Sequence, residues 1–513
     1  MTGEPGEPGV RHYTSHRSVL KPAPAAVEAG SLDAIVMPAA RPADRLLHGM
    51  DLAARLGAEF VALCSGDTQL PEAAGLAREV PGLSCALVDL QDGWTSELLE
   101  FRTSRFEAAT RRRHNDLSTK RNIGLLLARM VGWKRILFLD DDISLDANLV
   151  RGAVATLRAG RATGMRALDF SDNSVVSHAL REVGLDQDVF VSGSALLVDT
   201  TRVDSFFPDV YNEDWFFLFD AVRFGQVSAF GEVSQEKYDP FADPGRAVRE
   251  EFGDVLAEGL MSLLHYGGGT QRALTEKYWD TVLDQRRAML RSIAELLDTG
   301  EKPEAATAVR AAGAETDSLT GAVLARYVRQ WQRDVRLWRG RIQALPPAPS
   351  VEVALDRLRL PHVSVRPGEF EQQPLLGSGR IVRERLAQAG ALEPELAVQL
   401  AGGVVAVEHP QPDPRHSPLV KMRQHPRHHP RAEAAAPRGR SDPEIAEVPV
   451  GSGDVGAPRR AQKRLRFRRV VARPDQPVAA AQLGFPALLS VLFFLGERGQ
   501  KRRRCLSQGV ESR

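Results

Sequence analysis

The sequence predicts an α/β layered domain over residues 31–270, followed by a helical region and a basic tail. Three observations predict it. Short, β-rich apolar runs alternate with helix-like stretches over residues 31–269, the pattern of strands layered with helices. Between residues 270 and 345 the apolar residues recur every three or four positions, as on the buried face of long helices. Beyond residue 410, Pro, Arg, His and Ala dominate with no period.

Taken in chain order, residues 1–30 read as a flexible, polar N-terminal segment. Nothing in residues 1–21 resembles a secretion signal, so a cytoplasmic location is expected. Buried strands are expected at 34–37, 60–64, 85–87, 136–139 and 190–198. Between the first two, residues 44–57 set Leu46, Leu47, Met50, Ala54 and Leu56 on a helix that Gly57 would end in the left-handed conformation. Packing helices are expected over 270–300 and 318–345. The first carries a stripe through Leu274, Tyr278, Val282, Met289, Ile293 and Leu296. The second has Leu324, Tyr327, Trp331, Val335, Trp338 and Ile342, with Pro346 and Pro347 as its stop. Residues 348–410 read as a small α/β appendage, and 411–513 as a disordered basic tail. The apolar run 483–495 in that tail is shorter than the roughly 20 residues a span requires, and Pro486 interrupts it. A weak, peripheral contact with a membrane surface and a tail without function both remain open for it.

The formal net charge of +1 conceals a division. Residues 411–513 hold 21 of the 67 Lys and Arg and 9 of the 66 Asp and Glu, a balance of +12, which leaves −11 for residues 1–410. An acidic body argues against nucleic acid at the core, because duplex affinity depends on cationic neutralisation of phosphates. Three scattered cysteines, Cys64, Cys85 and Cys505, are too few for a disulfide framework or a thiolate zinc site.

The strongest chemical signal is the apolar run 135–139 ending in Asp140-Asp141-Asp142. Three adjacent acids repel one another, and at the carboxyl end of a strand in an open α/β sheet a divalent cation that prefers oxygen, Mn²⁺ or Mg²⁺, relieves that repulsion. Alternate residues of an extended chain share a side, so Asp140 and Asp142 would face one crevice. The plainer reading is an acidic turn. Upstream, Lys120 and Arg121 fall near the start of a helix, where cations oppose the macrodipole unless an anion such as a diphosphate lies nearby; solvated surface charges are the alternative. Downstream, Glu213 and Asp214 sit among Tyr211, Trp215, Phe216 and Phe217. Partial desolvation there would raise their proton affinity and suit a general base. The same residues also suit an ordinary first helical turn.

Together these segments resemble the family-2-like GT-A glycosyltransferases over roughly residues 31–270. Their order carries the likeness: a first strand followed by Pro38, the Lys-Arg-Asn-x-Gly helix at 120–124, Asp140-Asp141-Asp142, Gly193-Ser194, then Glu213-Asp214. The resemblance implies a Rossmann-like, nucleotide-diphospho-sugar transferase fold and a nucleoside-diphosphate sugar as donor. By it, the turns at 38–41 and 65–67 receive the base, naming Pro38, Arg41 and Asp67. Lys120 and Arg121 meet the diphosphate. Asp140 lies near the ribose and on the metal, Asp141 beside them, and Asp142 on the metal. Some relatives add a metal-binding histidine after the core, a position His265 occupies here; a structural histidine is the alternative. Glu213 or Asp214, with Asp214 preferred, deprotonates the hydroxyl of an acceptor whose identity the sequence leaves open. The processive Gln-x-x-Arg-Trp signature is absent from the sequence, which favours single transfer, with inversion.

Two rival functions stand beside this one. Residues 140–144, Asp-Asp-Asp-Ile-Ser, approximate the nucleophile motif of haloacid-dehalogenase-like phosphohydrolases, in which Asp140 would attack phosphorus. A non-catalytic nucleotide-sugar-binding or scaffold protein would instead use the helices and the tail.

Overall fold

A computed structural model describes residues 12–367 apart from 23–30, 91–93, 111–114, 158–159, 168–169, 171–173, 186, 189–190 and 266–269. The chain divides into Met1–Pro410 and Gln411–Arg513. The readings of residues 411–513, including the 483–495 run, lie outside the described residues. Among the described residues no helix is long and apolar enough to cross a membrane.

The centre of the molecule is a mixed sheet. Its strands are β1 (Lys21–Pro22), β2 (Ala34–Ala39), β3 (Glu59–Cys64), β4 (Ser84–Asp89), β5 (Arg135–Leu139), β6 (Ile143–Ser144), β7 (Ala162–Ala167), β8 (Ala195–Asp199), β9 (Val227–Gln235) and β10 (His362–Val365). Their spatial order is β1-β9-β7-β8-β5-β2-β3-β4-β10, with β6 paired to β9 off this path. β2 runs parallel to β3 and β5, while β8 is antiparallel to both β5 and β7. From β2 the chain builds outward through β3 and β4, then returns to the other side of β2 as β5. A sheet of this kind opens a crevice beyond the carboxyl ends of the strands where its order reverses, here β2 and β5.

Every residue of β2 is buried, because helices cover both faces of the sheet. Alternate side chains divide between two cores, as the strand period demands. Ile35 and Met37 pack with α1 (Leu47–Leu56), α2 (Leu70–Arg78) and α5 (Ala147–Thr156). Ala34 and Val36 pack with α4 (Leu117–Val131), α7 (Glu213–Arg223), α8 (Pro244–His265) and α11 (Gly321–Ala344). Gly57 caps α1 in the left-handed conformation, φ 64°.

Several expectations change. The helical region has three helices: α9 (Glu276–Thr299), α10 (Pro303–Ser318) and α11. The sequence hid α10 because its buried face is Ala305, Ala306, Ala308, Val309 and Ala312, too small to register as a stripe. On α9 the stripe ends at Leu297, fully buried, while Leu296 is 42% exposed. α11 and the first half of α9 join the main core, where Tyr327 and Trp331 of α11 meet Phe216 edge-on, while α10 packs with the second half of α9 and α6 (Val175–Glu182) in a separate core. The appendage expected over 348–410 is, as far as residue 367, part of the sheet. α12 (Val351–Arg357) leads into β10, which pairs antiparallel with β4 from His362↔Val88 to Val365↔Cys85. The flexible N-terminal segment expected over 1–30 is, at residues 12–22, packed: His16 is fully buried and β1 pairs with β9. β7 and β9 escaped the sequence reading because Gly, Thr, Ser and exposed positions interrupt them.

Cys85 tests the sheet edge, because burial pushes its thiol up to about 12 and β10 covers it. Native protein should leave Cys85 unlabelled by a maleimide. Val365→Asp places a charge in an apolar site, which undocks β10. Labelling at Cys85, located by mass spectrometry, should then accelerate about ten-fold or more.

Candidate active site

The site is built at the carboxyl ends of β5, β2 and β3 and the amino ends of α4 and α7. Asp140, Asp141 and Asp142 form the turn that closes β5. The Asp140 N–H donates to Ser194 O at 2.8 Å, and the Glu236 N–H donates to Asp142 O at 3.1 Å, so backbone pins the turn from both sides. Behind it, the Leu145 N–H donates to His48 Nε2 at 3.1 Å. Burial pushes His48 down to about 4, which keeps it neutral and able to accept.

Arg121 joins the separate motifs. Its side chain is only 3% exposed. Nη2 donates to both Asp140 carboxylate oxygens at 3.0 Å, and Nη1 donates to Glu213 Oε1. Burial would lower its pKa, but Asp140, Glu213 and Asp214 outweigh that and raise it. Gly193 packs directly on the guanidinium: a Cβ there would lie 2.6 Å from Nη1. Only glycine fits so close an approach.

Glu213 and Asp214 occupy the first turn of α7, entered through Asn212 in the left-handed conformation, φ 62°. Asp214 Oδ2 accepts from the Gly193 N–H at 2.6 Å, and Oδ1 from the Trp215 N–H at 2.8 Å. Burial pushes Glu213 up to about 8, outweighing Arg121 and reinforced by neighbouring Asp214. Burial raises Asp214 too, against Arg121 and its two backbone donors. Two backbone N–H groups favour the anion on Asp214, so Glu213 is the member of the pair that keeps its proton near neutrality. Arg121, Asp140, Gly193, Glu213, Asp214 and Trp215 line one side of a cavity of about 430 Å³.

The other predicted residues surround this centre unequally. Arg41, 47% exposed, donates to Asp141 Oδ1 at 2.5 Å and to Asp142 Oδ2 at 3.2 Å. Burial raises the pKa of Asp141, with Arg41 opposing. Asp67 is exposed in the turn after β3, its N–H donating to Ala40 O at 2.9 Å. Pro38, expected in a base-binding turn, lies buried inside β2 opposite Leu63, because the strand continues to Ala39. Lys120 donates to Ala39 O at 2.7 Å and to Ser65 Oγ at 2.6 Å, and forms an ion pair with Asp116 Oδ1 at 2.9 Å. It ties the ends of β2 and β3 together, and these partners, rather than a diphosphate, account for its burial. His265 does not join the carboxylates. It ends α8, where its ring nitrogens meet His16 Nδ1 at 2.9 Å and Ser18 Oγ at 3.3 Å, and its ring stacks on Tyr13.

Among the described residues no group of three or more His, Cys, Asp or Glu is arranged to hold a metal. An ion that arrives with a diphosphate needs only one or two protein carboxylates. Asp142 suits that role, since Arg41, which pairs with it, is nearly half exposed, whereas Arg121 engages both oxygens of Asp140.

No family model matches the chain, and no curated protein matches it.

Residues that the sequence reading passed over complete the cavity. Asn115, Tyr211 and Asn212 line it, as do Arg246, Arg249 and Glu250 from α8. Glu250 is pushed up to about 7 by burial, against Arg246. A signal for α8 existed: Glu250, Glu251 and Asp254 interrupt an otherwise apolar helical face, and all three are buried.

The raised pKa of Glu213 sets a pH dependence. The folded chain holds the Glu213 proton more tightly than the unfolded chain, so the stability linked to it is full below about 4.5 and is lost as pH rises through about 8. Glu213→Gln mimics the protonated form. Urea unfolding at pH 5, 7 and 9 should show the wild type losing stability relative to Glu213→Gln as pH rises, with the gap widest at pH 9.

Proposed function

We propose that this protein is a metal-dependent glycosyltransferase of the GT-A type, moving one sugar from a nucleoside-diphosphate donor to a hydroxyl acceptor with inversion. One observation carries the reading. Motifs far apart in sequence meet beside one cavity where the strand order of a mixed sheet reverses, through Arg121 bonded to both Asp140 and Glu213. The mixed sheet, with β8 reversed among parallel neighbours, is compatible with a Rossmann-like domain.

In this reading the donor lies across the ends of β2, β3 and β5, along Arg41, Asp67 and the Asp140–Asp142 turn. A divalent cation held by Asp142, when bound, would neutralise charge on the diphosphate. Arg121 fixes Asp140, and Lys120 keeps the two strand ends in register beneath the donor. Asp214 takes the proton of the acceptor hydroxyl as that oxygen bonds to the anomeric carbon. The bond from that carbon to the diphosphate breaks, and its electron pair leaves with the diphosphate. Glu213, retaining its proton, lets the negative charge of the acidic pair reside on Asp214. The phosphohydrolase alternative needs Asp140 as a free nucleophile, and the double engagement by Arg121 opposes it.

A thermal-shift series with UDP-, GDP- and dTDP-sugars, each with and without Mn²⁺, tests the proposal. At least one donor should stabilise the chain only with Mn²⁺, by about 2.7 kcal/mol at a hundred-fold excess over Kd. Asp142→Ala should fold and lose that shift. Absence of a metal-dependent shift with all three donors would refute the reading. With the donor so identified, Asp214→Asn should keep the shift but lower turnover about 10²- to 10⁴-fold.

A further inference from the structure

We infer that Asp254 on α8, held by Arg286 of α9, is a positioning residue for the Glu213–Asp214 pair, acting through Asn212. The inference rests on the reading of that pair as the reactive acids, but its geometry is independent of any donor. Arg286 is buried and its Nη2 donates to Asp254 Oδ2 at 2.6 Å. The other oxygen, Asp254 Oδ1, accepts from Asn212 Nδ2 at 3.0 Å. Asn212 is the N-cap of α7, immediately before Glu213 and Asp214. Its left-handed φ of 62° is one that asparagine tolerates better than most residues.

Two further contacts make this a bracket rather than a single bond. Arg286 also donates to both oxygens of Glu251, at 2.9 and 2.7 Å, and Thr316 of α10 donates its hydroxyl to Glu251 Oε1 at 2.6 Å. One step from Asp254, Gly253 lets the backbone of α8 lie against Tyr211: a Cβ there would sit 2.3 Å from Tyr211 O. The loop that delivers the acids is thus seated on α8, and α8 is tied to α9 and α10.

An apolar interface would hold three helices together at least as well, because a buried ion pair returns little net stability over well-packed hydrophobic residues. What a buried charge network supplies is direction. Here its free end is the Asn212 amide, and what that amide fixes is the start of α7. From there Asp214 reaches the Gly193 N–H, 21 residues away in sequence. Protection of that amide therefore reports where Asp214 sits.

Amide hydrogen exchange on the full chain, without metal or donor, tests the inference. Asn212→Asp keeps a residue that tolerates the left-handed conformation but sets a carboxylate against Asp254. It should accelerate exchange at the Gly193 and Trp215 amides about five- to ten-fold, the effect of losing one buried hydrogen bond, while amides of β2 and β5 stay protected. Combining Asn212→Asp with Asp254→Asn restores the bond with donor and acceptor exchanged, and should return both amides to near the wild-type rate. Wild-type exchange at Gly193 in Asn212→Asp overturns the inference, as does a folded double variant that fails to restore it. Should Asn212→Asp not fold, Asn212→Gly decides, since it keeps the backbone conformation and removes only the amide. Acceleration at Gly193 sustains the inference, and wild-type exchange overturns it. Because no donor enters, these outcomes are distinct from failure of the glycosyltransferase reading.

Discussion

The guanidinium of Arg121 is the interaction on which the site depends. It leaves α4 beneath the sheet, meets Asp140 where β5 ends and Glu213 where α7 begins, and lies against the backbone at Gly193. A cation this deeply buried persists only because acids surround it, and removing Asp140 would strip it of the carboxylate that engages it through both oxygens. The same burial raises Glu213 and Asp214, so the force that holds the fold at this point also sets the proton affinity of the acids. Structure and chemistry share one group here.

The second dependence runs outward from α7. Its acidic first turn is seated on α8, and α8 is joined through Arg286 and Thr316 to α9 and α10. The long helices are therefore more than a cover for the sheet. Packing alone accounts for the aromatic face of α11, where Tyr327 and Trp331 meet Phe216. It does not account for Glu251, Asp254 and Arg286, three charges buried among largely apolar residues. Their arrangement makes sense as orientation of the loop above them.

What the sequence made legible follows from the strength of each local signal. β2, β3 and β5 are continuous apolar runs because both of their faces are covered, so composition alone revealed them. β7 and β9 were illegible: one carries Thr, Gly and Arg, and the other leaves alternate side chains exposed beside a left-handed Gly231. Of the site, the acids at 140–142 and 213–214 were legible because charge inside an apolar setting is costly and so conspicuous. The partners of those acids were not. Nothing in residues 120–121 distinguishes Lys120, which binds two strand ends, from Arg121, which binds two acids. His265 was attractive only by its position in the chain, and the packing of residues 12–18 against it could not be read from a polar, turn-rich segment.

The three carboxylates after β5 carry different electrostatic histories, and the difference ranks them as ligands. Asp140 faces a guanidinium with almost no exposure, in a pair that desolvation has already made rigid. Asp141 and Asp142 share Arg41, whose side chain is nearly half exposed. Solvent screens these pairs on the arginine side, where a long side chain must be ordered to form them, while the carboxylates themselves are only 9% and 12% exposed. Another cation can take the place of Arg41 beside these carboxylates, whereas nothing can replace Arg121 without breaking the connection between β5 and α7. A cation that enters the cleft therefore competes with Arg41 for these carboxylates, a phosphate competes with the carboxylates for Arg41, and both leave Arg121 undisturbed. In the proposed reading it is that asymmetry of partners, and not exposure, since Asp140 is the more exposed of the two, that ranks Asp142 ahead of Asp140 as the ligand of an incoming ion.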